Sequence, residues 1–413
     1  MPETQFWLPS EDKDLIGVNS SRDPLGFLPI WSQRGRNIVP NLTEQTVCAT
    51  GFQLLVATLR LWEDFRVKHP DAKIQVEEFF LLVEQAFAFS TQSRTKKWPL
   101  PGSSRVVRFT LDNTPCLSLR NGLLENQLAN GVWGLYRGAA ARSDILSDSM
   151  RSLSAAFYQE MGSHAILQRS MKNELFGQIL EAHEDRQNGV SFLLHKNRGL
   201  PDRLSAFLAE LPHKLCLRRY LLPENGLAER TAAFLYEHRE GFQNDPGFRR
   251  SFMELCIARF PGDKAVFERL LMCENFIAPV EKVFRYLLGL AGEPITKIGA
   301  EMDLEIDRFR SAFGEFRNSG PYTGGAAGRF ATYCNGIRLS SKEDFIRSLL
   351  TCHQKVSKER RREPWVSIEE EKLLVSSHVE DSSREELDAT PGKTWMNDYY
   401  LWPLLRVYEA LRS

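Results

Sequence analysis

The sequence predicts a mainly α fold, an α-helical array with a few short strands. In most segments between residues 43 and 411, apolar side chains recur every three or four positions, which is the period of an amphipathic helix. Turn-forming residues separate these segments by short connections, which favour antiparallel packing of neighbouring helices. Only two stretches, 105–119 and 329–339, favour short strands.

The first of three predicted regions spans residues 1–142 and comprises an N-terminal wrap, a pair of helices and a basic strand loop. About forty residues rich in Pro, Gly and large apolar side chains should wrap the core without forming regular helices. Helices are predicted from about 43 to 68 and from about 76 to 90. The second of these is apolar on nearly all sides, which indicates burial.

The remaining two regions are predicted at 143–317 and 318–413. Helical periodicity continues almost throughout the first of them, which we expect to form a helical array. The last region contains a Gly-rich loop, a helix with a basic end, an acidic stretch at 367–388 and a terminal amphipathic helix. The acidic stretch has the composition of a solvated helix followed by a loop.

Composition excludes several classes of protein. The chain has 413 residues, with 53 Lys plus Arg and 53 Asp plus Glu, so it is not a globally basic polyanion-coating protein. The seven cysteines form no Cys-x-x-Cys pair, which disfavours a zinc ribbon, and neither a phosphate-binding loop nor a dinucleotide fingerprint is present. We therefore expect no cofactor and no metal. Without a long apolar run or a basic-then-apolar start, we expect a cytoplasmic protein with no membrane partner.

Two basic windows point to phosphate binding, because clustered cations bind phosphates and a neighbouring aromatic ring can stack on a base. The alternatives are a solvated loop for the first window and an ion-paired face for the second, since the acidic stretch follows it. The candidate nucleic-acid-binding residues of the two windows are Arg94, Lys96, Lys97, Trp98, Arg105 and Arg108, then Lys358, Arg360 and Arg361.

A third candidate site lies in 120–144, where amides, aromatic rings, arginines and glycines crowd together. Amides can bind base edges, arginine can bind phosphate or guanine, and glycines allow close approach of a backbone or ligand. The candidate binding residues here are Gln127, Asn130, Trp133, Tyr136 and Arg137, and the candidate catalytic carboxylates are Glu125 and Asp144. The alternative is a packing helix with a satisfied polar edge.

Three short motifs, within the first third of the chain, carry a resemblance. They are Asp23-Pro24-Leu25-Gly26, Pro40-x-Leu42-Thr43-x-x-Thr46 and Asn-Gly-Val-Trp-Gly-Leu-Tyr-Arg-Gly at 130–138. Together they resemble uncharacterised helical proteins of prokaryotic anti-phage defence islands. The resemblance implies a bacterial cytosolic protein encoded near DNA-handling enzymes, and it supplies no catalytic residue.

Three functions follow as hypotheses. The first is a DNA-directed defence protein that grips phosphates, with double-stranded DNA as the expected partner. The second is a metal-independent base-excision glycosylase for modified phage DNA, with Glu125 or Asp144 as the carboxylate and Trp133 and Tyr136 stacking on a flipped base. The third is a non-catalytic helical adaptor that binds proteins of a defence operon through its acidic stretch and its terminal helix, which bears Tyr399, Trp402 and Tyr408.

Overall fold

The computed structural model describes residues 23–92, 97–112, 115–162, 166–192, 199–210, 213–245, 247–376, 387 and 389–412. Within these ranges the chain forms nineteen α-helices and four short strands, so the predicted mainly α fold is confirmed. The helices are α1 (Leu28–Ile38), α2 (Ala49–Lys68), α3 (Val76–Thr91), α4 (Ser103–Leu111), α5 (Gln127–Asn130), α6 (Val132–Arg142), α7 (Ala155–Met161), α8 (Arg169–Glu184), α9 (Gly199–Glu210), α10 (Lys214–Leu221), α11 (Leu227–Glu237), α12 (Arg239–Asn244), α13 (Phe248–Arg259), α14 (Lys264–Leu288), α15 (Ile295–Glu301), α16 (Ile306–Arg317), α17 (Gly324–Gly336), α18 (Lys342–Glu359) and α19 (Leu401–Leu411). The strands are β1 (Cys116–Leu117), β2 (Val190–Ser191), β3 (Val366–Glu369) and β4 (Lys372–Val375).

The strand predicted at 329–339 is wrong, because this stretch lies mostly in α17. Its aromatic residues are spaced for a helix: Tyr333 is fully buried, packs on Phe27 with ring centroids 4.4 Å apart, and donates its hydroxyl hydrogen to the carbonyl of Leu25. Tertiary packing of one face therefore decides the conformation here.

The prediction at 105–119 is correct only at its end. Residues up to Leu111 belong to α4, and β1 pairs antiparallel with β2. The helix forms because Val106 is buried while its neighbours Ser104 and Arg108 are exposed, which is the pattern of a one-sided surface helix.

Two further local predictions are also corrected. The N-terminal wrap contains a regular helix, α1, in which Pro29 occupies the first turn, where a missing N–H costs nothing. The described part of the acidic stretch forms the β3–β4 hairpin instead of a helix, and Glu370 and Glu371 turn the chain with positive φ angles.

The chain divides into two compact units that are each discontinuous in sequence: Met1–Val39 with Glu237–Tyr399, and Pro40–Tyr236 with Tyr400–Ser413. We call them the first and the second unit. Neither follows the boundaries that we expected at 142 and 317.

In the first unit, α14 is the central helix, packed against α1, α13 and α16. Its buried face carries the carboxylate of Glu274, which is fully buried and whose pKa is raised by that burial. The Glu274 oxygens accept hydrogen bonds from the backbone N–H groups of Met396 and Asn397, the amide of Asn397 and the hydroxyl of Tyr399, at 2.6 to 3.0 Å. The segment 396–399 is thereby fastened to α14.

In the second unit, α3 has the equivalent central place and contacts α2, α6, α8 and α9. Its residues are buried on most sides, as the sequence predicted, and include Phe79, Phe80 and Phe87. A capping box at Gln75 and Glu78 begins the helix. Each unit thus has one helix that is enclosed by its neighbours.

Replacing Glu274 by alanine should destabilise the protein by about 3 kcal/mol or more, since several buried donors lose their acceptor together. Urea denaturation followed by circular dichroism measures the free energy of unfolding. Glu268 is the matched control, because it lies on the same helix and pairs only with the exposed Lys264. Glu268→Ala should cost less than about 0.5 kcal/mol, and equal losses in the two variants would contradict the assigned role of Glu274.

Candidate nucleic-acid interface

The second basic window lies at the C-terminal end of α18. The helix begins at Ser341, whose hydroxyl accepts the backbone N–H of Asp344, and it buries Phe345, Leu349 and Val356 along one face. This burial sets which residues of the window face solvent: Lys355, Lys358 and Arg361 are exposed.

The helix ends in a Schellman motif, in which the backbone N–H of Arg362 bonds to the carbonyl of Ser357 and that of Arg361 to the carbonyl of Lys358. This motif requires a left-handed residue, and glycine is the usual one. Here the residue is Arg361, with a φ of 57°. A side chain in this conformation costs on the order of 1 kcal/mol relative to glycine. The local backbone energy therefore favours glycine over arginine at position 361.

Arg360, one residue earlier, has a structural role. Its guanidinium bonds to the carbonyl of Asp23 and forms an ion pair of 2.7 Å with the Asp23 carboxylate. Asp23 in turn accepts the backbone N–H of Phe27 at 2.6 Å and so shapes the turn before α1. Arg360, predicted to bind nucleic acid, instead secures the Asp23-Pro24-Leu25-Gly26 motif to α18.

The other cations of the window border an open depression of about 460 Å³. Its lining residues are Gln354, Lys358, Arg361, Arg362, Glu363 and Pro364. The side chains of Lys358 and Arg361 form no ion pair with any described residue, whereas Glu359 is held at 2.6 Å by Arg329. The depression therefore combines two unpaired cations with a third basic side chain and one acid, a surface suited to anions.

Four lining residues were absent from the candidate residues predicted from the sequence: Gln354, Arg362, Glu363 and Pro364. Gln354 lies one helical turn before Lys358. The two residues therefore share a face of the helix, and this spacing could have predicted Gln354 as part of the site. Glu363 and Pro364 follow the helix end, and their position depends on the left-handed turn at Arg361, which the sequence did not reveal.

The first basic window, in the second unit, is only partly described, because Arg94 and Lys96 lie outside the described residues. Trp98 is buried, and its indole N–H donates to the carbonyl of Pro101 at 3.1 Å, so its ring packs inside the protein. The guanidinium carbon of Arg105 lies 5.6 Å from the ring of Phe109.

Lys97 and Arg108 are the exposed cations of this window. Neither side chain forms an ion pair with a described residue. The described part of the window therefore presents two cations without an ion pair, and the buried Trp98 offers no stacking surface.

The cluster at 120–144 is built around a buried carboxylate that the sequence analysis did not single out. Glu84 of α3 is fully buried and accepts hydrogen bonds from the amide of Gln127 at 2.7 Å and from the backbone N–H of Val132 at 3.0 Å. The other end of the Gln127 amide accepts the backbone N–H of Leu123 at 2.8 Å. Gln127 thus connects α3 to the backbone at Leu123, and Glu84 itself connects α3 to the start of α6.

Glycine at position 131 is required by this arrangement. A Cβ atom there would lie 2.5 Å from the carbonyl oxygen of Gln127 and 3.0 Å from Oε2 of Glu84. Gly131 therefore allows a close approach to the Glu84 carboxylate and the Gln127 backbone of the protein itself, and not to a ligand. Burial raises the pKa of Glu84 to about 7, because the donors around it, Gln127 and Val132, are uncharged.

The aromatic residues of the cluster are part of the core. Trp133 packs on Phe80 with ring centroids 5.0 Å apart, and Tyr136 on Phe52 at the same distance. Both rings are buried, and Tyr136 lies so close to Gly51 that a Cβ atom there would be 2.2 Å from its ring. The glycosylase hypothesis used these rings as a stacking pocket, and this arrangement supplies no observation in its favour.

The remaining polar residues of the cluster are at the surface. Glu125 and Asp144 are exposed, and Asn130 is partly exposed. Arg137 is half-buried over Trp133, with its guanidinium carbon 5.0 Å from the ring, and burial lowers its pKa.

The three aromatic residues proposed as the docking face of an adaptor, Tyr399, Trp402 and Tyr408, differ in their burial and in their contacts. Tyr399 is buried against Glu274 in the first unit. In the second unit, Trp402 is exposed and stacks with Arg406, and Tyr408 lies 6.0 Å from Tyr236. These three rings therefore do not form the single docking face that the sequence suggested.

No group of three or more His, Cys, Asp or Glu side chains among the described residues could hold a metal ion. None of the described helices is long and apolar enough to cross a membrane. Comparison with protein-family models, with curated proteins and with solved structures finds no match to this chain.

The pKa of Glu84 leads to a pH-dependent stability. Its pKa is about 7 in the folded protein and about 4.5 in the unfolded chain, so the carboxyl contributes most stability below pH 4.5 and loses it as pH rises toward 7. The full effect is on the order of 3 kcal/mol. In urea denaturation across this pH range, the stability of the wild type relative to Glu84→Gln should fall with rising pH. Parallel pH profiles for the two proteins would contradict the assignment.

Proposed function

We propose that this chain is a DNA-binding protein of a prokaryotic antiviral defence system, which holds DNA phosphates through the depression at the end of α18. Lys97 and Arg108 of the second unit supply further phosphate contacts. The defence context comes from the sequence resemblance. The phosphate-binding role has its main support in the unpaired cations Lys358 and Arg361 beside a depression of about 460 Å³.

The backbone at Arg361 adds a second line of support. A cation near the C-terminal end of a helix is favoured by the helix dipole, so Lys358 alone could be explained by local stability. Local stability does not account for an arginine at position 361, because glycine would fit the left-handed conformation of this residue better. Strained residues of this kind concentrate at functional sites, and a phosphate ligand would give the guanidinium a partner.

Double-stranded DNA is the ligand expected from the sequence and serves as the first probe. Phosphate contacts release condensed counterions, so log K should fall linearly with log salt concentration, by about 0.9 for each contact. Fluorescence anisotropy with a labelled duplex across a salt series measures both affinity and slope. Absence of binding at low salt would overturn the proposal.

The double variant Lys358→Gln/Arg361→Gln should weaken duplex binding and reduce the salt slope by about 2. Two other exposed cations of the first unit, Arg269 and Lys393, provide the control, since Arg269→Gln/Lys393→Gln removes the same charge. If both double variants lose affinity equally, net charge and not this depression is responsible.

The single variant Arg361→Gly should separate stability from binding. Glycine relieves the left-handed backbone and should raise the free energy of unfolding by about 0.5–1 kcal/mol, while removal of the guanidinium weakens DNA binding. Urea denaturation and anisotropy on the same sample measure the two effects. A variant that gains stability and binds DNA as tightly as the wild type would remove Arg361 from the interface.

A further inference from the structure

We infer that the surface formed by the depression and Trp365 binds a single-stranded segment of nucleic acid, with an unpaired base stacked on the indole of Trp365. This inference rests on the proposed function, because the cations of the depression would hold the phosphates of the same strand. It adds that the bound nucleic acid is single-stranded, because phosphate contacts alone do not distinguish a single strand from a duplex.

Trp365 differs from the other described tryptophans. The other indoles contact an aromatic ring, a guanidinium or a hydrogen-bond acceptor; examples are Trp133 on Phe80, Trp402 under Arg406, and Trp98 bonded to Pro101. The indole of Trp365 has no ring, cation or hydrogen-bond partner among the described residues, and it is partly exposed. An aromatic ring without a partner inside the protein is available for stacking on a ligand through the part of it that is exposed.

The backbone of Trp365 is held rigidly. Its N–H donates to Nε2 of His353 at 2.9 Å, and its carbonyl accepts the N–H of Ser376 at 2.8 Å. The other ring nitrogen of His353, Nδ1, lies 2.9 Å from the carbonyl of Pro24. Because Nε2 must accept, Nδ1 carries the proton and donates to Pro24.

The charge state of His353 keeps this arrangement in place. Its side chain is buried, and burial lowers its pKa, so the ring stays neutral at physiological pH and Nε2 remains an acceptor. The backbone of Trp365 is thus held in place before any ligand binds. Preorganisation of a stacking residue lowers the entropic cost of binding.

Trp365 also follows a lining residue of the depression directly in the sequence. Pro364, which lines the depression, directly precedes Trp365, and Lys358 and Arg361 line the same depression. Gln354 adds an amide that can bond to a base edge. Cations for the backbone together with an aromatic platform for a base are the combination by which proteins bind single strands. In duplex DNA the bases are paired and stacked on one another, so their faces are not available to an indole.

The test compares labelled oligothymidylate with a duplex of equal length, using wild type, Trp365→Ala and Trp402→Ala. Trp402→Ala is the matched control because it removes another exposed indole. We expect the wild type to bind the single strand more tightly than the duplex. Trp365→Ala should lose about 5- to 150-fold of the single-strand affinity and retain its duplex affinity, while Trp402→Ala should bind like the wild type.

A second measurement keeps the inference testable if Trp365→Ala does not fold. Stacking of thymine on an indole quenches its fluorescence, so oligothymidylate should quench the wild type more strongly than Trp365→Phe. Equal quenching in the two proteins would overturn the inference.

The outcomes also separate this inference from the proposed function. Duplex binding that depends on Lys358 and Arg361, with no preference for the single strand and no effect of Trp365→Ala, overturns the inference and leaves the proposed function standing. Absence of binding to either probe at low salt overturns both.

Discussion

A carboxylate inside a protein must be surrounded by hydrogen-bond donors, and this requirement organises the core of each unit. Glu274 and Glu84 both lie on the enclosed helix of their unit, and neither forms a salt bridge with a described residue. Each accepts hydrogen bonds from a segment distant in sequence: residues 396–399 in one case and the start of α6 in the other. The two carboxylates thus add polar contacts to segments that also bury large side chains, Tyr399 in the first and Trp133 in the second.

Long periodic segments were predictable from the sequence, while short or mixed ones were not. The helix predicted at 76–90 agrees with α3 to within one residue at each end. The stretch 329–339 failed because its aromatic and β-branched residues suit a strand equally well, and only the packing of Tyr333 on Phe27 decides between them.

The candidate site shows the same limit. Sequence spacing located the basic window at 355–362, but it could not show that Arg360 pairs with Asp23, a residue far away in the chain. Likewise, Trp133 and Tyr136 carry the residue types of a stacking pocket, and only the fold shows them filling the core. Spacing along a helix indicates which residues share a face, and the partner of that face depends on contacts that are distant in sequence.

The carboxyl of Glu84 has a consequence for calorimetry. Near neutral pH it carries a proton in part of the folded molecules, whereas in the unfolded chain it is ionised. Unfolding therefore releases a fraction of a proton, which the buffer takes up. The heat absorbed on unfolding then includes the ionisation enthalpy of the buffer, so thermograms recorded at the same pH in two different buffers would report different enthalpies for the same structural transition.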